Sequence, residues 1–434
     1  MKLGKGMKIL ASALIGVCSF AEVSFGETPE ELKAQIEALK QQMAVMQAQI
    51  TNLQKKLQEM QAKTEKVTVP KKTGVVKAKP GLEWKLYGRV KIDYHYDTAR
   101  IEKYNDFVGT IANRETHADY KNDSSNFNPR DTRIGAIISH KKGNWLIKGR
   151  IEADFYGTNS GNNLIPRLRL AYIDFNNSQK RLDLRVGQDW IPVAQLNPST
   201  VDFGILTAAG NLWWRIPQVT LRKDLNNNWQ ILVSVMQHRR QHTWSKERMP
   251  WVLSRIQYKN GFLGKGNMIA LGGGYKHGRH DSTIDDVDCW LLAGEWKFNF
   301  KLADQKFLFK GEAWTGKGLG AEFLRYDLDV NSNTKSTIEA WGGWADLTWF
   351  FAPRWSFTIG AGIDNPNDSE LLKGTTIAGL NDRQFTKNTQ YFANLWYKLT
   401  ENVKVGAEVV HIETERDNNV DTGNRFTLSA FYNF

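Results

Sequence analysis

Residues 84–96 read WKLYGRVKIDYHY, and this stretch decides the fold class of the chain. Its even-numbered positions carry no charge, whereas the odd-numbered positions from Lys85 to His95 are polar or ionisable. A period of two places the two sets on opposite faces of a β-strand. The stretch exceeds a common strand of about 5–6 residues and suits a tilted membrane-crossing strand, which needs about 9–11. It fits either a half-buried soluble sheet or a membrane barrel.

The same alternation recurs to the end of the chain, for example in 145–155, in 290–300 and in the final RFTLSAFYNF. Brief links are predicted near 141–144, 176–181, 223–228, 259–267, 301–306, 350–354 and 400–402. Longer polar links are predicted near 98–130, 157–166, 191–215, 238–250, 277–287, 315–337, 364–389 and 414–424. Seven brief and eight long links join sixteen strands, an asymmetry typical of bacterial outer-membrane barrels.

A membrane-spanning helix is excluded because no segment after residue 25 has eighteen consecutive apolar residues. Only helices and closed barrels satisfy all backbone polar groups in lipid. A soluble protein would need a second layer to bury so many aromatic-faced strands, and the sequence predicts no helices after residue 81. It therefore predicts an all-β transmembrane barrel of about 16 antiparallel strands over 82–434.

Composition excludes several function classes. The net charge of +12 is shared between residues 1–81 and the barrel, where basic and acidic residues are nearly balanced, so no nucleic-acid partner is predicted. The two cysteines, Cys18 and Cys289, exclude a disulfide framework. HEXXH, CXXC, Walker-type and dinucleotide-binding glycine patterns are absent, and no catalytic constellation has recognisable spacing. The prediction is a protein that is not an enzyme and needs no cofactor or metal.

Residues 1–26 have the pattern of a secretory signal peptide. Lys2, Lys5 and Lys8 precede the apolar run 9–21, and cleavage is predicted after Ala21 or Gly26. Lipidation of Cys18 is the alternative, which the preceding valine disfavours.

Residues 27–63 are predicted to form a coiled coil. Thr28 can cap the helix, and the apolar positions that follow are spaced 4-3-4-3 over about four heptads. These core positions are Leu32, Ile36, Leu39, Met43, Met46, Ile50, Leu53, Leu57 and Met60. The helix would be about 50 Å long and would self-associate, with two or three strands both open. Residues 64–81 form a lysine-rich linker, either simply solvated or attracted to an anionic surface.

The chain resembles the DcaP-like trimeric outer-membrane porins over residues 22–434. The resemblance rests on LYGRVKIDY (86–94), PRLRLAY (166–172), RVGQDW (185–190), NTQYFANLWYKL (388–399) and VGAE (405–408). The terminal aromatic Phe434 resembles the signal that the barrel assembly machinery reads. The basic phosphate-selective porins have a similar opening strand and barrel size and are the alternative family.

The resemblance implies a homotrimer of barrels in the outer membrane, in contact with lipid and lipopolysaccharide, with the coiled coils joined in the periplasm. It also implies that the third long loop, 191–215, folds into each lumen as a constriction, with Asp202, Trp213, Trp214 and Arg215 as its key residues. From sequence alone this loop is long and rather apolar, which is unusual for a loop in water.

The charged faces of the first five strands are predicted to line the pore. Their basic residues are Lys85, Arg89, Lys91, Arg133, Lys148, Arg150, Arg167, Arg169 and Arg185. Carboxylates such as Glu152 and Asp154 partly compensate this wall. One uncompensated cation about 7 Å from an ion in water changes its energy by about 0.6 kcal/mol, so anions and cations differ by about 1.2 kcal/mol. The predicted function is a passive channel that favours small anionic and polar solutes.

Three other interpretations remain at this stage. A mixed-charge wall would give a weakly selective pore, and a phosphate-type selective porin would give a strongly selective one. A barrel that tethers the outer membrane to the cell wall through its coiled coil would have peptidoglycan as its partner.

Overall fold

A computed structural model describes residues 81–102, 108–157, 164–239, 249–279, 284, 286–320, 323, 328–374, 384–417 and 419–434, with scattered positions between Lys33 and Lys55. The chain forms two compact units, Met1–Thr73 and Gly74–Phe434. In the first unit, the described positions are helical and exposed. The predicted signal peptide, the nine coiled-coil core residues and the linker before Gly81 lie outside the described residues. No helix among those residues is long and apolar enough to cross a membrane.

The second unit is a closed antiparallel β-barrel. Its strands are β1 (Leu82–Asp97), β2 (Ser124–Asn128), β3 (Arg133–Lys142), β4 (Trp145–Asp154), β5 (Arg167–Asn177), β6 (Leu182–Trp190), β7 (Arg215–Asp224), β8 (Trp229–Met236), β9 (Trp251–Lys259), β10 (Met268–Gly278), β11 (Val287–Leu302), β12 (Gln305–Lys317), β15 (Glu339–Ala352), β16 (Trp355–Pro366), β17 (Lys387–Lys398), β18 (Val403–Arg416) and β19 (Asn419–Asn433). The hairpin β13 (Val330–Asn331) and β14 (Ser336–Thr337), a 3-10 turn (Gly261–Leu263) and helix α1 (Asp368–Leu372) lie in the links.

The seventeen strand segments of the barrel amount to sixteen strands, because β2 and β3 are two halves of one strand and both pair with β1. The sheet closes where β1 pairs with β19, from Arg89 opposite Asn433 to Asp97 opposite Arg425. The predicted sixteen-stranded antiparallel barrel is therefore confirmed.

The alternation in β1 separates an outer face from an inner face. Leu86 and Val90 are 70% and 56% exposed on the outer face, whereas Lys91 and Asp93 are buried on the inner face. Apolar side chains thus cover the outside, and polar side chains fill the interior.

The two ends of the barrel differ. Seven short links, such as 143–144 and 303–304, lie at one end, called here the turn end; the longer links lie at the other, called the loop end. A belt of aromatic side chains surrounds the turn end. There Trp229 contacts Tyr258 with ring centroids 4.9 Å apart, and Phe300 stacks on Phe307 with 5.4 Å between centroids. Such belts are typical of barrels at a membrane–water interface.

The predicted long link at 414–424 is wrong. β18 and β19 are joined by residues 417–418 alone, and Asp417 has the positive φ of 57° of a tight turn. Some of the polar residues that suggested a loop are inward-facing strand residues. Arg416 and Asp421 are buried and form an ion pair of 3.4 Å across the two strands.

Links at the loop end fold into the barrel and form an apolar core there. Trp251, Leu291, Trp314 and Leu319 are buried together in this core, which also includes Leu212 from the link after β6. Packed apolar side chains therefore fill part of the interior at the loop end.

Candidate functional site

The link between β6 and β7, residues 191–214, lies inside the barrel and is called here the inner loop. Its residues Ile191, Val201, Ala209 and Leu212 are at most 2% exposed. Its backbone is bonded to inward-facing side chains of β11, β12, β15, β17 and β18. A loop bonded to so many strands divides the interior of the barrel.

Buried carboxylates accept hydrogen bonds from the N–H groups of the inner loop. The two oxygens of Glu408 accept from Val201 at 2.7 Å and from Asp202 at 2.8 Å. Glu408 thus fixes the middle of the loop to β18.

Three further carboxylates repeat this arrangement along the loop. Glu295 on β11 accepts from Gln195 and Leu196 at 2.7 and 2.6 Å. Asp346 on β15 accepts from Ser199 at 2.6 Å, and Glu312 on β12 accepts from Leu212 at 2.9 Å. We call Glu295, Glu312, Asp346 and Glu408 the carboxylate wall.

Side-chain donors satisfy the carbonyl groups of the same loop. Asn388 donates to Ala208 O at 2.8 Å, Gln390 to Thr207 O at 3.0 Å and Asn394 to Ser199 O at 2.8 Å. Trp314 Nε1 donates to Gly210 O at 2.7 Å and Lys91 Nζ to Val201 O at 2.8 Å. Buried backbone groups need such partners, so the loop is fixed through both its donors and its acceptors.

Gly210 permits the close approach of this loop to β15 and β16. It has a φ of 87°, and a Cβ there would lie 2.2 Å from the carbonyl oxygen of Gly343 and 2.4 Å from that of Ile363. Only glycine fits this position without moving the loop.

The tip of the inner loop reaches the strand pair that closes the barrel. Asp202 pairs with Arg425 at 3.2 Å, and Arg425 also pairs with Asp97 at 2.7 Å. Burial raises the pKa of Asp202, but the Arg425 charge and the Gly204 amide lower it overall, so this carboxyl is ionised. The next residue, Phe203, stacks on Tyr156 with 4.2 Å between ring centroids.

Six arginines lie on the inner face of the opposite side, on β1 and β3–β7, and are called here the arginine wall. Each of these arginines forms an ion pair with a carboxylate. The pairs are Arg89–Asp131, Arg133–Asp131 (2.8 Å), Arg150–Glu152 (3.0 Å), Arg167–Asp154 (2.7 Å), Arg185–Asp174 (2.5 Å) and Arg222–Asp183 (3.2 Å).

The partners in most of these pairs differ in exposure. The side chain of Arg150 is 31% exposed against 6% for Glu152, and Arg167 is 25% exposed against none of Asp154. Arg222 is the exception, since it is slightly less exposed than Asp183. Along most of this wall the guanidinium groups are thus more accessible than the carboxylates that balance them.

A cavity of about 440 Å³ separates the arginine wall from the inner loop. Arg150, Arg185 and Arg222 line one side, and Ile191, Gln195 and Leu212 of the loop and its start line the other. Asp183, Asp189 and Tyr172 complete its polar lining. This cavity is the candidate solute pathway.

The nine basic residues predicted to line the pore divide into three groups. Arg89, Arg133, Arg150, Arg167 and Arg185 belong to the arginine wall. Lys91 and Arg169 are buried; Lys91 pairs with Asp93 and Asp131, and Arg169 pairs with Glu152 and Asp154. Lys85 and Lys148 are exposed near the turn end. Two of the nine therefore do not reach the open interior.

The predicted constriction residues are all near one another, but they do not all narrow the interior. Trp213 is buried and Trp214 packs against it, with ring centroids 5.2 Å apart. Arg215 is the first residue of β7, and its guanidinium lies 4.9 Å from the ring centroid of Trp190. Together they fix the end of the inner loop to the barrel wall.

The terminal residue Phe434 lies at the closing seam. Its N–H donates to Gly88 O, and Gly88 N–H donates to Phe434 O, both at 3.1 Å. The last residue therefore completes the pairing of β19 with β1.

Sequence reasoning missed the carboxylate wall. Its members are acidic residues at inward positions of β11, β12, β15 and β18. Reading the inner faces of all strands, instead of the first five, would have found these residues. Arg222 on β7, which pairs with Asp183 on β6, was missed for the same reason.

A closed sixteen-stranded antiparallel barrel with a link folded into its interior is the architecture of the outer-membrane porins. The crystal structure of the outer membrane channel DcaP of Acinetobacter baumannii is similar, with a TM-score of 0.69 and 22% identity over 83% of this chain and 100% of that one. The expected resemblance to the DcaP-like barrel is thus confirmed at the level of the fold.

Two other porin structures share the barrel. The anion-selective porin from Comamonas acidovorans has a TM-score of 0.58 and 9% identity over 81% of this chain and 100% of that one. Salmonella typhi OmpF, in complex with daunomycin, has a TM-score of 0.54 and 12% identity over 82% and 98%. No protein-family model matches the sequence, and no curated protein matches it.

Proposed function

We propose that the protein is an outer-membrane porin, a passive diffusion channel that favours small anionic and polar solutes. The porin fold supports a channel, and the cavity beside the arginine wall supplies a polar route along the inside of the barrel. The anion-selective porin of similar fold is consistent with this preference in a barrel of this kind.

The observation that carries the proposal is the order of charges at the arginine wall. The formal charges of the pairs largely cancel, but in most pairs the guanidinium group is more exposed than its carboxylate. A cation about 7 Å from a passing ion separates anions from cations by about 1.2 kcal/mol in water, and a carboxylate a few ångströms farther away removes only part of this. Screening at a Debye length of about 8 Å reduces the preference without reversing it. A moderate anion preference follows.

The same proposal includes assembly and location. We infer a homotrimer in the bacterial outer membrane, exported by the signal peptide, assembled through the barrel assembly machinery and held by a coiled coil over residues 27–63 in the periplasm. The unbroken heptad spacing supports self-association. Native-gel mobility before and after boiling tests it, with a trimer-sized band that falls to monomer size on heating as the expected result.

A reversal-potential measurement tests the selectivity. Purified protein is inserted into planar bilayers that separate two KCl concentrations, and zero-current voltage is recorded. We expect a voltage of the sign that chloride permeation gives, growing as the bulk salt is diluted. A voltage of the opposite sign contradicts the anion preference. A truncated chain that lacks residues 27–80 tests the tethering role separately: if its conductance is unchanged, the channel does not depend on the coiled coil.

A further inference from the structure

Two neighbouring links at the turn end, residues 143–144 and 178–181, are bonded to each other. The N–H of Ser178 donates to the carbonyl oxygen of Asn144 at 3.3 Å, and the side-chain amide of Asn144 donates to Gln179 Oε1. A backbone hydrogen bond of 3.1 Å from the last residue of β7 holds the second link from its other side. The surface that these two links form is therefore fixed before any partner binds to it.

Three cations lie on this surface and are called here the rim cations: Lys142 at the end of β3, and Lys180 and Arg181 in the second link. All three are exposed, and among the described residues none of them forms an ion pair with a carboxylate. The nearby carboxylates, Asp183 and Asp224, are at inward-facing positions and have their partners inside the barrel. The rim cations therefore leave uncompensated positive charge at the outer edge of the turn end.

The rim cations border the apolar outer face of the barrel. Lys142 is directly opposite Trp145, an outward residue of β4 that is 41% exposed, and Trp145 is in turn opposite Asn177, which precedes the second link. An indole ring thus lies on the strand between Lys142 and the other two cations. Aromatic and basic side chains at the edge of an apolar band mark the depth of the lipid headgroups, and the short turns of outer-membrane barrels face the periplasm. The rim cations are therefore level with the headgroups of the periplasmic leaflet.

We propose that the rim cations bind the headgroup of an anionic phospholipid in the periplasmic leaflet. Arg181 donates one N–H to Asn227 at 3.1 Å, which orients its guanidinium, and a guanidinium matches the geometry of a phosphate. Lys142 and Lys180 add ammonium donors, while Trp145 offers an apolar surface to the adjoining acyl chains. A cell-wall polymer would lie below the turns, whereas Lys142 extends from the outer face of a strand, which favours lipid. The inference rests on the proposed membrane location and not on the solute that the channel passes.

Native mass spectrometry of the refolded full chain tests this site. The chain in neutral detergent is incubated with equal amounts of phosphatidylglycerol and phosphatidylcholine that have the same acyl chains, and the ratio of the two retained lipids is measured. We expect the unchanged chain to retain phosphatidylglycerol in preference. In K142Q/K180Q/R181Q this ratio should fall about tenfold or more, because each basic group at a membrane surface strengthens the attraction of anionic lipid about fivefold.

The matched control is K121Q/K335Q/K373Q. It removes the same total charge, but from three exposed lysines in the links at the loop end. This control should keep the lipid ratio of the unchanged chain. The charge-retaining variant K142R/K180R/R181K should also keep it, and the heat-dependent gel shift of each variant reports that its barrel has formed.

An equal lipid ratio in K142Q/K180Q/R181Q and the unchanged chain would overturn the inference, as would an unchanged chain without a preference. An equal fall in the loop-end control would show that total charge, and not the rim cations, attracts the lipid. Sedimentation with purified peptidoglycan tests the other partner: if the triple variant loses this binding and keeps its lipid ratio, the rim cations bind the cell wall instead. The reversal potential tests the proposed function independently, because a cation preference would refute that function and leave the lipid ratios as they stand.

Discussion

On β3–β7 the inward-facing carboxylates pair with arginines, whereas on β11–β18 they accept hydrogen bonds from the backbone of the inner loop. Both walls bury acidic residues inside a barrel, and both satisfy them with N–H donors. The donors differ in mobility, since arginine side chains end in the open interior and backbone amides are fixed in a packed loop. One wall is therefore suited to meeting solutes and the other to holding the obstacle that narrows their route.

The difference also explains where the interior is open. The loop covers the carboxylate wall, whose members are at most 5% exposed, and the apolar core fills the loop end on the same side. The cavity of about 440 Å³ lies on the arginine side. Because the inner loop is bonded to the carboxylate wall, the arginine wall stays open to the cavity.

Glu408→Ala should have the largest effect of the substitutions, because it acts on the carboxylate wall. It leaves the N–H groups of Val201 and Asp202 without their acceptor, and each orphaned buried donor costs about 1–3 kcal/mol. We expect the middle of the inner loop to leave β18, with a larger and noisier single-channel conductance in planar bilayers.

Glu413→Ala on the same strand is the matched control for this variant. Glu413 is at an odd-numbered position of β18, on the face opposite Glu408, and its carboxylate lies 3.3 Å from His411 Nε2. A conductance of Glu408→Ala that equals that of Glu413→Ala would mean that the loop does not depend on the carboxylate wall.

Arg185→Gln should weaken the anion preference of the arginine wall. The substitution removes one guanidinium from the cavity lining and leaves Asp174 and Asp189 without their main partner. Loss of one charge about 7 Å from the passing ion changes the anion–cation difference by about 1.2 kcal/mol before screening. The reversal potential should move toward cation preference, with little change in conductance noise.

Lys223→Gln is the control for Arg185→Gln, because Lys223 lies on β7 at the position next to the inward-facing Arg222 and therefore on the outer face. An equal shift in reversal potential for both variants would show that total charge, and not the wall, sets selectivity.

Thr348→Val should have the smallest effect. It removes the 3.0 Å hydrogen bond between the Thr348 and Thr358 hydroxyls, which joins β15 to β16 and makes no contact with the arginine wall. A net loss of about 1 kcal/mol in stability is expected, seen as a slightly lower temperature of the gel shift. Conductance and reversal potential should stay unchanged; a change in either would mean that the two walls are not independent.

The barrel could be predicted from sequence because its signals are local. The alternation in WKLYGRVKIDYHY and the lengths of most links depend only on neighbouring residues. The link at 414–424 failed because Arg416 and Asp421 look like loop residues until their pairing across the interior is known.

The site was less predictable because its contacts join distant strands. Asp346 meets Ser199, and Arg425 meets Asp202, only after the barrel has closed and the loop has folded inward. The inward positions of single residues follow from alternation, but which donor each carboxylate meets depends on stagger around the whole barrel. Partners on the strands, such as Glu152 and Asp154, could be found by alternation, whereas Asp131, which lies between β2 and β3, could not.

Accessibility of engineered cysteines tests most directly the claim that solutes pass along the arginine wall. Gln230 lines the cavity from β8, and Thr358 is buried on the inner face of β16. In a Cys289→Ala background, a small anionic thiol reagent should modify Gln230→Cys and reduce its channel current, while Thr358→Cys should react slowly and keep its current. Rapid modification with current loss at Thr358→Cys, and none at Gln230→Cys, would contradict the account.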